Sequence, residues 1–206
     1  NRLKDDLHRD LLFAFHALCD VGLLGVETTF RQGLTQTVFM LWRESKSVRL
    51  QSRIEERFRY AGTTPVGGLL VESILPLTRK QNISTRSRAA FALTCMGSAA
   101  ATPPVLARLL ELSQDTNTDV RSRAADALAH LGSAAATPLV LARLLELFQD
   151  TNDYVRSRAA ETLACLGSAA ATPPVLARLL ELSQDANTNV RSRAAEALGQ
   201  MTEKLN

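Results

Sequence analysis

The sequence predicts an all-α fold, a right-handed α-α superhelix of stacked helical hairpins preceded by an N-terminal helical cap or linker. Three observations carry that expectation. Residues 97–131, 132–166 and 167–201 are near-copies at a period of 35 residues, and the first and third agree at 29 of 35 positions. Aromatic residues make up only 5% of the chain, too few for a β-sandwich, while 46% apolar content is ample for a buried core. Within each copy the apolar residues recur at helical spacing and do not alternate. A unit of this size cannot bury its apolar face alone, so neighbours must stack and share it.

Taken in chain order, residues 1–62 read as three helices outside the repeat period. Leu3, Leu7, Leu11, Phe15 and Leu18 make the first stripe, Phe30, Leu34, Val38 and Leu41 the second, and Ile54, Phe58 and Ala61 the third. Gly22, Gly25 and Gly62 punctuate them. Pro65–Leu77 then reads as the first helix of a divergent repeat, 63–96. Its second helix carries Arg86-Ser87-Arg88-Ala89-Ala90, 35 residues before Arg121-Ser122-Arg123-Ala124-Ala125. These four repeats, with a short C-terminal tail, fill 63–206.

One full repeat shows the punctuation. Thr102 before Pro103 and Pro104 predicts an N-cap with prolines in the first turn, where a missing N–H costs nothing. Val105, Leu106, Leu109, Leu110 and Leu112 form the stripe of this helix, which ends before the Gln114-Asp115-Thr116-Asn117 turn. A second helix beginning near Thr118 or Asp119 places Val120, Ala124, Ala127, Leu128 and Leu131 on one face. Gly132 stops it, and Ser133-Ala134-Ala135-Ala136 leads to the next unit through a short helical turn.

Charge and cysteine usage narrow the function classes. Residues 1–96 hold fourteen Lys/Arg against nine Asp/Glu, whereas 97–201 hold nine Arg, no Lys and eleven acids. The repeats therefore lack the basic stripe that holds a phosphate backbone, which argues against nucleic acid as their partner. Cys19, Cys95 and Cys165 are odd in number and form no C-x-x-C pair, so a reducing, cytoplasmic setting is expected. No apolar run reaches membrane-span length, and the first residues lack signal-peptide form. The chain opens with Asn1 and enters a helical pattern at once, as a piece of a longer polypeptide would.

The repeat residues resemble the HEAT family, in its variant with an Asp, a Val-Arg pair and small residues in the second helix. The resemblance implies that an Asp in the intra-repeat turn and an Arg six residues later build ladders between neighbouring repeats. Asp115 with Arg121, Asp150 with Arg156 and Asp185 with Arg191 have that spacing. The divergent unit has Lys80 where the Asp would stand, beside Arg86. The segments Leu7–Ala14, Leu41–Ser45 and Ile54–Ala61 look like the stretch joining a NACHT-type NTPase core to HEAT repeats in bacterial signalling ATPases. That resemblance implies a STAND-class switch, with repeats that sense a ligand or restrain the core, in settings that include defence against phage. The chain contains no G-x-x-x-x-G-K-[ST] phosphate loop, so no nucleotide hydrolysis is expected of it.

Candidate sites follow from the repeat columns. Opposite the Val120 face lie Ser122, Asp126 and Ala129, flanked by Arg123 and His130. Stacking aligns Arg88, Arg123, Arg158 and Arg193 in one exposed column and Asp126, Glu161 and Glu196 in another. These columns suit a polar protein or peptide surface; equally, Arg123–Asp126, Arg158–Glu161 and Arg193–Glu196 are i,i+3 ion pairs on a solvated face. Arg88, facing Phe91, has no acid at that offset. Cys95, His130 and Cys165 share a third column, but stacked helices stand about 8–10 Å apart and zinc needs every donor within about 2.3 Å, so no metal is expected. No other cofactor is implied. Arg43, Lys46, Arg49, Arg53 and Arg57 form a basic stripe interrupted by Glu55 and Glu56, suited to phosphates, to an acidic partner or to the upstream NTPase core.

The reading that unites these observations is a noncatalytic interaction scaffold or sensor, the C-terminal arm of a NACHT-type ATPase. Two rivals stand beside it: a protein similar to phycobilin lyases that acts on a tetrapyrrole carrier, and a nucleic-acid clamp through the basic stripe.

Overall fold

The structure, a computed structural model, describes residues 2–22 and 25–203, with side chains from residue 7 to residue 202 of these; the side chain of Leu3 lies outside the described set. Every regular element among the described residues is helical: α1 (Arg2–Val21), α2 (Thr28–Glu44), α3 (Val48–Gly62), α4 (Val66–Ile74), α5 (Ile83–Met96), α6 (Pro103–Leu112), α7 (Thr118–His130), α8 (Pro138–Leu147), α9 (Asp153–Leu166), α10 (Pro173–Leu182) and α11 (Thr188–Glu203). Short 3-10 turns cover Leu75–Arg79, Gly97–Ala100, Gly132–Ala135 and Gly167–Ala170. The helices form two compact units, Asn1–Ala100 and Ala101–Asn206.

In the first unit α1 packs on α2 and α3, and α3 packs on α4 and α5. The core is rich in rings. Trp42 lies 5.6 Å from Phe39, 5.8 Å edge-on from Phe58 and 6.1 Å from Phe91, stacked on the latter. Its indole Nε1 donates to the Glu55 carboxylate at 3.1 Å, so the polar end of the ring is satisfied as burial requires. The third stripe, Ile54, Phe58 and Ala61, is wholly buried.

Phe15 and Leu18 of the first stripe and Leu34 and Val38 of the second are buried as expected, but each buried face is turned partly away from its stripe. Leu7 is 66% exposed, and the buried face of α1 is Leu12, Phe15, Leu18 and Cys19. In α2 Phe30 is 57% exposed, while Leu34, Thr35, Val38, Phe39 and Trp42 face inward. Both helices carry apolar residues on two adjacent faces, so periodicity leaves a choice that packing makes. Close approach sets one glycine: a Cβ on Gly62 would stand 2.6 Å from the Met96 carbonyl oxygen, so α3 and α5 can meet here only without a side chain.

The second unit holds three hairpins, α6/α7, α8/α9 and α10/α11. Val105, Leu109 and Leu112 of α6 are buried, as are Val120, Ala124, Ala127, Leu128 and Leu131 of the α7 hairpin arm; Leu106 and Leu110 are half-buried. The second helix starts at Thr118, as expected, and is capped from the turn. Asn117 accepts from the amides of Asp119 at 3.0 Å and Val120 at 3.3 Å, and Asn152 and Asn187 repeat the arrangement. At each junction Gly97, Gly132 and Gly167 take φ of 57°, 67° and 61°, a region L side chains avoid.

Neighbouring hairpins meet mainly through their second helices, with α7 against α9 and α9 against α11. Alanines make this possible: Ala124, Ala125, Ala159 and Ala160 are buried, and Thr162 Oγ1 donates to the Ala125 carbonyl at 2.9 Å across the repeat boundary. The first helices touch less, which puts the second helices on the tighter side of this three-hairpin row.

Candidate protein-binding face

The turn between paired helices builds the inter-repeat tie. Asp150 folds back so that its Oδ1 accepts from the Asn152 amide at 2.9 Å, which holds the carboxylate toward the preceding hairpin. Arg121 reaches it with two donors, Nε to Oδ2 at 2.7 Å and Nη2 to Oδ1 at 2.9 Å. Arg156 grips Asp185 in the same way, at 2.8 and 2.9 Å. Each arginine also donates through Nη1 to the carbonyls of its own turn: Arg121 to Asp115 and Thr116, Arg156 to Asp150 and Thr151. A planar fork matched to a carboxylate is the strongest of ordinary side-chain hydrogen-bond arrangements.

Burial alone would raise the Asp150 pKa, yet the Arg121 hydrogen bond, the Asn152 amide and the two nearby arginines hold it below the usual carboxylate value. The Arg156 hydrogen bond does the same for Asp185 against a smaller burial effect. Arg191, in the last hairpin, keeps the bonds to its own turn through the Asp185 and Ala186 carbonyls. Arg86 of the first unit donates to the Lys80 and Gln81 carbonyls, so that half of the motif does not need the Asp.

A second tie was not foreseen. Arg143 in the middle of α8 donates to the Ser113 hydroxyl at 2.8 Å and to its carbonyl at 2.6 Å, tying α8 to the end of α6. The signal was present but weak: Phe148 replaces this serine one repeat later, so the column is not periodic.

The predicted face columns are arranged as a cross-repeat chain. Arg158 contacts Glu161 at 2.7 Å on its own helix and Asp126 of the preceding one at 3.8 Å. Arg193 contacts Glu196 at 2.8 Å and, across the boundary, Glu161 at 3.8 Å. Asp126, 16% exposed, also faces His130, whose Nδ1 lies 2.9 Å from the Asp126 carbonyl. Arg123 is exposed at the head of this string. Two neighbouring positions correct the expectation: Ser122 and Ala129 are buried, because α7 packs against both α6 and α9.

Arg88 departs from its column as well. It donates to the Arg43 carbonyl at the end of α2 and lies 5.8 Å over the Trp42 ring, so it closes a helix C-terminus inside the first unit.

Tyr154 is the face residue that sequence reasoning missed. It is 51% exposed, its hydroxyl accepts from Arg158 at 3.2 Å, and the guanidinium lies 5.3 Å over the ring. Asp119 and Asn189 occupy its column in the flanking repeats, so a break in near-identity was the available signal.

The basic stripe does not act as one surface. Arg43 pairs with Glu44 at 2.9 Å, and Arg57 turns to His16 at 3.5 Å, beside the Tyr60–Asp20 hydrogen bond. Lys46, Arg49 and Arg53 remain exposed. Cys19 and Cys95 are buried, and burial pushes the Cys19 thiol up to about 11; Cys165 is exposed, its pKa raised by desolvation and by Glu161, Asp126 and Glu196. No group of three or more His, Cys, Asp or Glu able to hold a metal occurs among the described residues. No described helix is long and apolar enough to cross a membrane.

Paired helices in register, stacked through small residues and tied by a repeating Arg–Asp fork, define an all-α repeat solenoid. The family comparison makes the assignment specific: the model for HEAT repeats matches residues 71–164 and 141–205, more than half of the chain, and the chain belongs to the HEAT-repeat family. Comparison with curated proteins finds no match. Among solved structures, an engineered protein aligns with a TM-score of 0.57 at 16% identity, over 94% of this chain and 97% of its own. A designed armadillo repeat protein in complex with the peptide (KR)4 aligns with a TM-score of 0.57 at 18% identity, over 94% and 93%. A computationally designed armadillo repeat protein for modular peptide recognition aligns with the same score at 15% identity, over 97% and 94%. At these identities the likeness concerns the fold alone.

Proposed function

We propose that the chain is a noncatalytic protein-interaction scaffold or sensor that captures a protein or peptide on the second-helix face of its repeats. The observation that carries this reading is the string Asp126–Arg158–Glu161–Arg193–Glu196, in which ion pairs link successive hairpins. Arginines held by neighbouring carboxylates have fewer rotamers to lose on binding, so a partner meets a preorganised polar surface. Arg123 and His130 extend the string, and Tyr154 adds an exposed ring of the type enriched at binding hot spots. The face balances acids against bases, so it suits a peptide of mixed charge better than the uniformly basic (KR)4 held by the designed armadillo protein. Arg88 contributes from within the first unit only by supporting Trp42.

In the finer reading, residues 1–62 are a cap or linker, 63–206 carry four repeats, and the whole is the C-terminal arm of a NACHT-type signalling ATPase whose upstream core is the intramolecular partner. The segments Leu7–Ala14, Leu41–Ser45 and Ile54–Ala61 support this. Peptides selected against the full chain from a displayed library test the face. Arg123→Ala with Arg158→Ala is expected to weaken their binding about tenfold or more with helical circular dichroism unchanged; equal affinity would reject the face.

A further inference from the structure

The first unit carries a charged concavity separate from the second-helix face. A cleft of about 570 Å³ opens at the start of α3 and is lined by residues that include His8 of α1, Glu44 at the end of α2, Lys46 and Ser47 of the connection, and Arg49 and Arg53 of α3. Its volume is that of a small-molecule site.

Among the described residues the basic charge inside it exceeds the acidic. The neighbouring cations are engaged: Arg43 with the Glu44 carboxylate, Arg57 with His16, and Arg88 with the Arg43 carbonyl. Among the described residues Lys46, Arg49 and Arg53 have no ion-pair or hydrogen-bond partner through their side chains, and all three are exposed. Among the described residues the one acid in the lining, Glu44, is already paired. Arg49 and Arg53 are one helical turn apart, so their guanidinium groups rise from one face with about 6 Å between successive positions. They stand in the first turns of α3, where Ser47 Oγ takes the Leu50 amide at 3.3 Å and the positive end of the helix dipole adds to their field.

The shape and lining select among anions. Among the described residues no Phe, Trp or Tyr lines the cleft, so none of them offers a ring on which a nucleobase would stack. Two guanidinium forks and an ammonium over a helix N-terminus match clustered tetrahedral oxyanions. We infer that this cleft binds a small soluble ligand carrying two or more adjacent phosphate groups, with Arg49 and Arg53 gripping them and Lys46 closing one side.

Inorganic pyrophosphate titrated into the full chain at low ionic strength tests the inference by calorimetry. Saturable one-to-one binding is expected, weakening as salt is added. Arg49→Gln with Arg53→Gln should lower the affinity about tenfold or more, whereas Arg59→Gln, on the same helix outside the cleft, should leave it unchanged. Both variants alter exposed positions, and circular dichroism checks that they fold. Absence of binding, or equal affinity in the double variant, would overturn the site. A hexaglutamate peptide binding as tightly as pyrophosphate, or an oligothymidylate that pyrophosphate cannot displace, would overturn the ligand class.

Discussion

The first unit holds its helices with rings packed once, Phe39, Trp42, Phe58 and Phe91, and with a glycine that lets α3 touch α5. The second holds its hairpins with alanines, one threonine-to-carbonyl contact and an Arg–Asp fork that recurs every 35 residues. Where one sequence is repeated, a modest tie suffices because it is made at each boundary and stability sums over neighbours. Where the repeat is missing or divergent, a few large side chains fill irregular space.

The contrast predicts unequal costs for single changes. Phe58→Ala, which removes the buried ring packed on Phe39 and Trp42, should destabilise the first unit by about 3–5 kcal/mol. Urea unfolding followed by fluorescence of Trp42, the single tryptophan, reads this directly; a loss below about 1 kcal/mol would mean the cluster is not the core of that unit. Asp150→Ala should cost less, about 1.5–3 kcal/mol, because it strands the Arg121 fork and the Asn152 amide. Differential scanning calorimetry would detect it as a lowered melting temperature.

Acid should dissolve this tie in a defined window. The folded pKa values of Asp150 and Asp185 lie below the ordinary value, so their stabilisation is complete above about pH 4, the unfolded carboxylate value, and is lost as pH falls through the folded values. The stability gap between the unaltered chain and Asp150→Asn should therefore narrow in acid below about pH 4. A gap that stays constant down to unfolding would break the link between the fork and the lowered pKa. Glu161→Ala should have the smallest effect, about 0–1 kcal/mol, since its pairs with Arg158 and Arg193 are partly solvated. A cost as large as that of Asp150→Ala would make the face a structural seam as well as a surface.

The same contrast explains what could be read from sequence. The hairpin boundaries were legible because their signals are local and repeated: Thr-Pro starts, Asp-x-Asn turns and junction glycines. The Arg121–Asp150 register was legible only through the family resemblance, since no spacing rule says which Asp an Arg six residues on will meet. In the first unit Phe15, Leu18, Leu34 and Val38 were read correctly, but the rest of the buried faces of α1 and α2 turned aside, because adjacent apolar residues offered two stripes and only packing chose between them. Ser122 and Ala129 were misplaced for a related reason: a helix flanked by helices on both sides has little outer face. Tyr154 was hidden by attention to what the repeats share, while its signal lay in where they differ.

The claim on which the account rests is that the Arg–Asp fork couples neighbouring hairpins. A double-mutant cycle of Arg121→Ala and Asp150→Ala, measured by equilibrium unfolding, tests it most directly. A coupling of about 1–3 kcal/mol is expected between these residues, 29 positions apart in sequence; additive losses with no coupling would show that the fork does not join the hairpins.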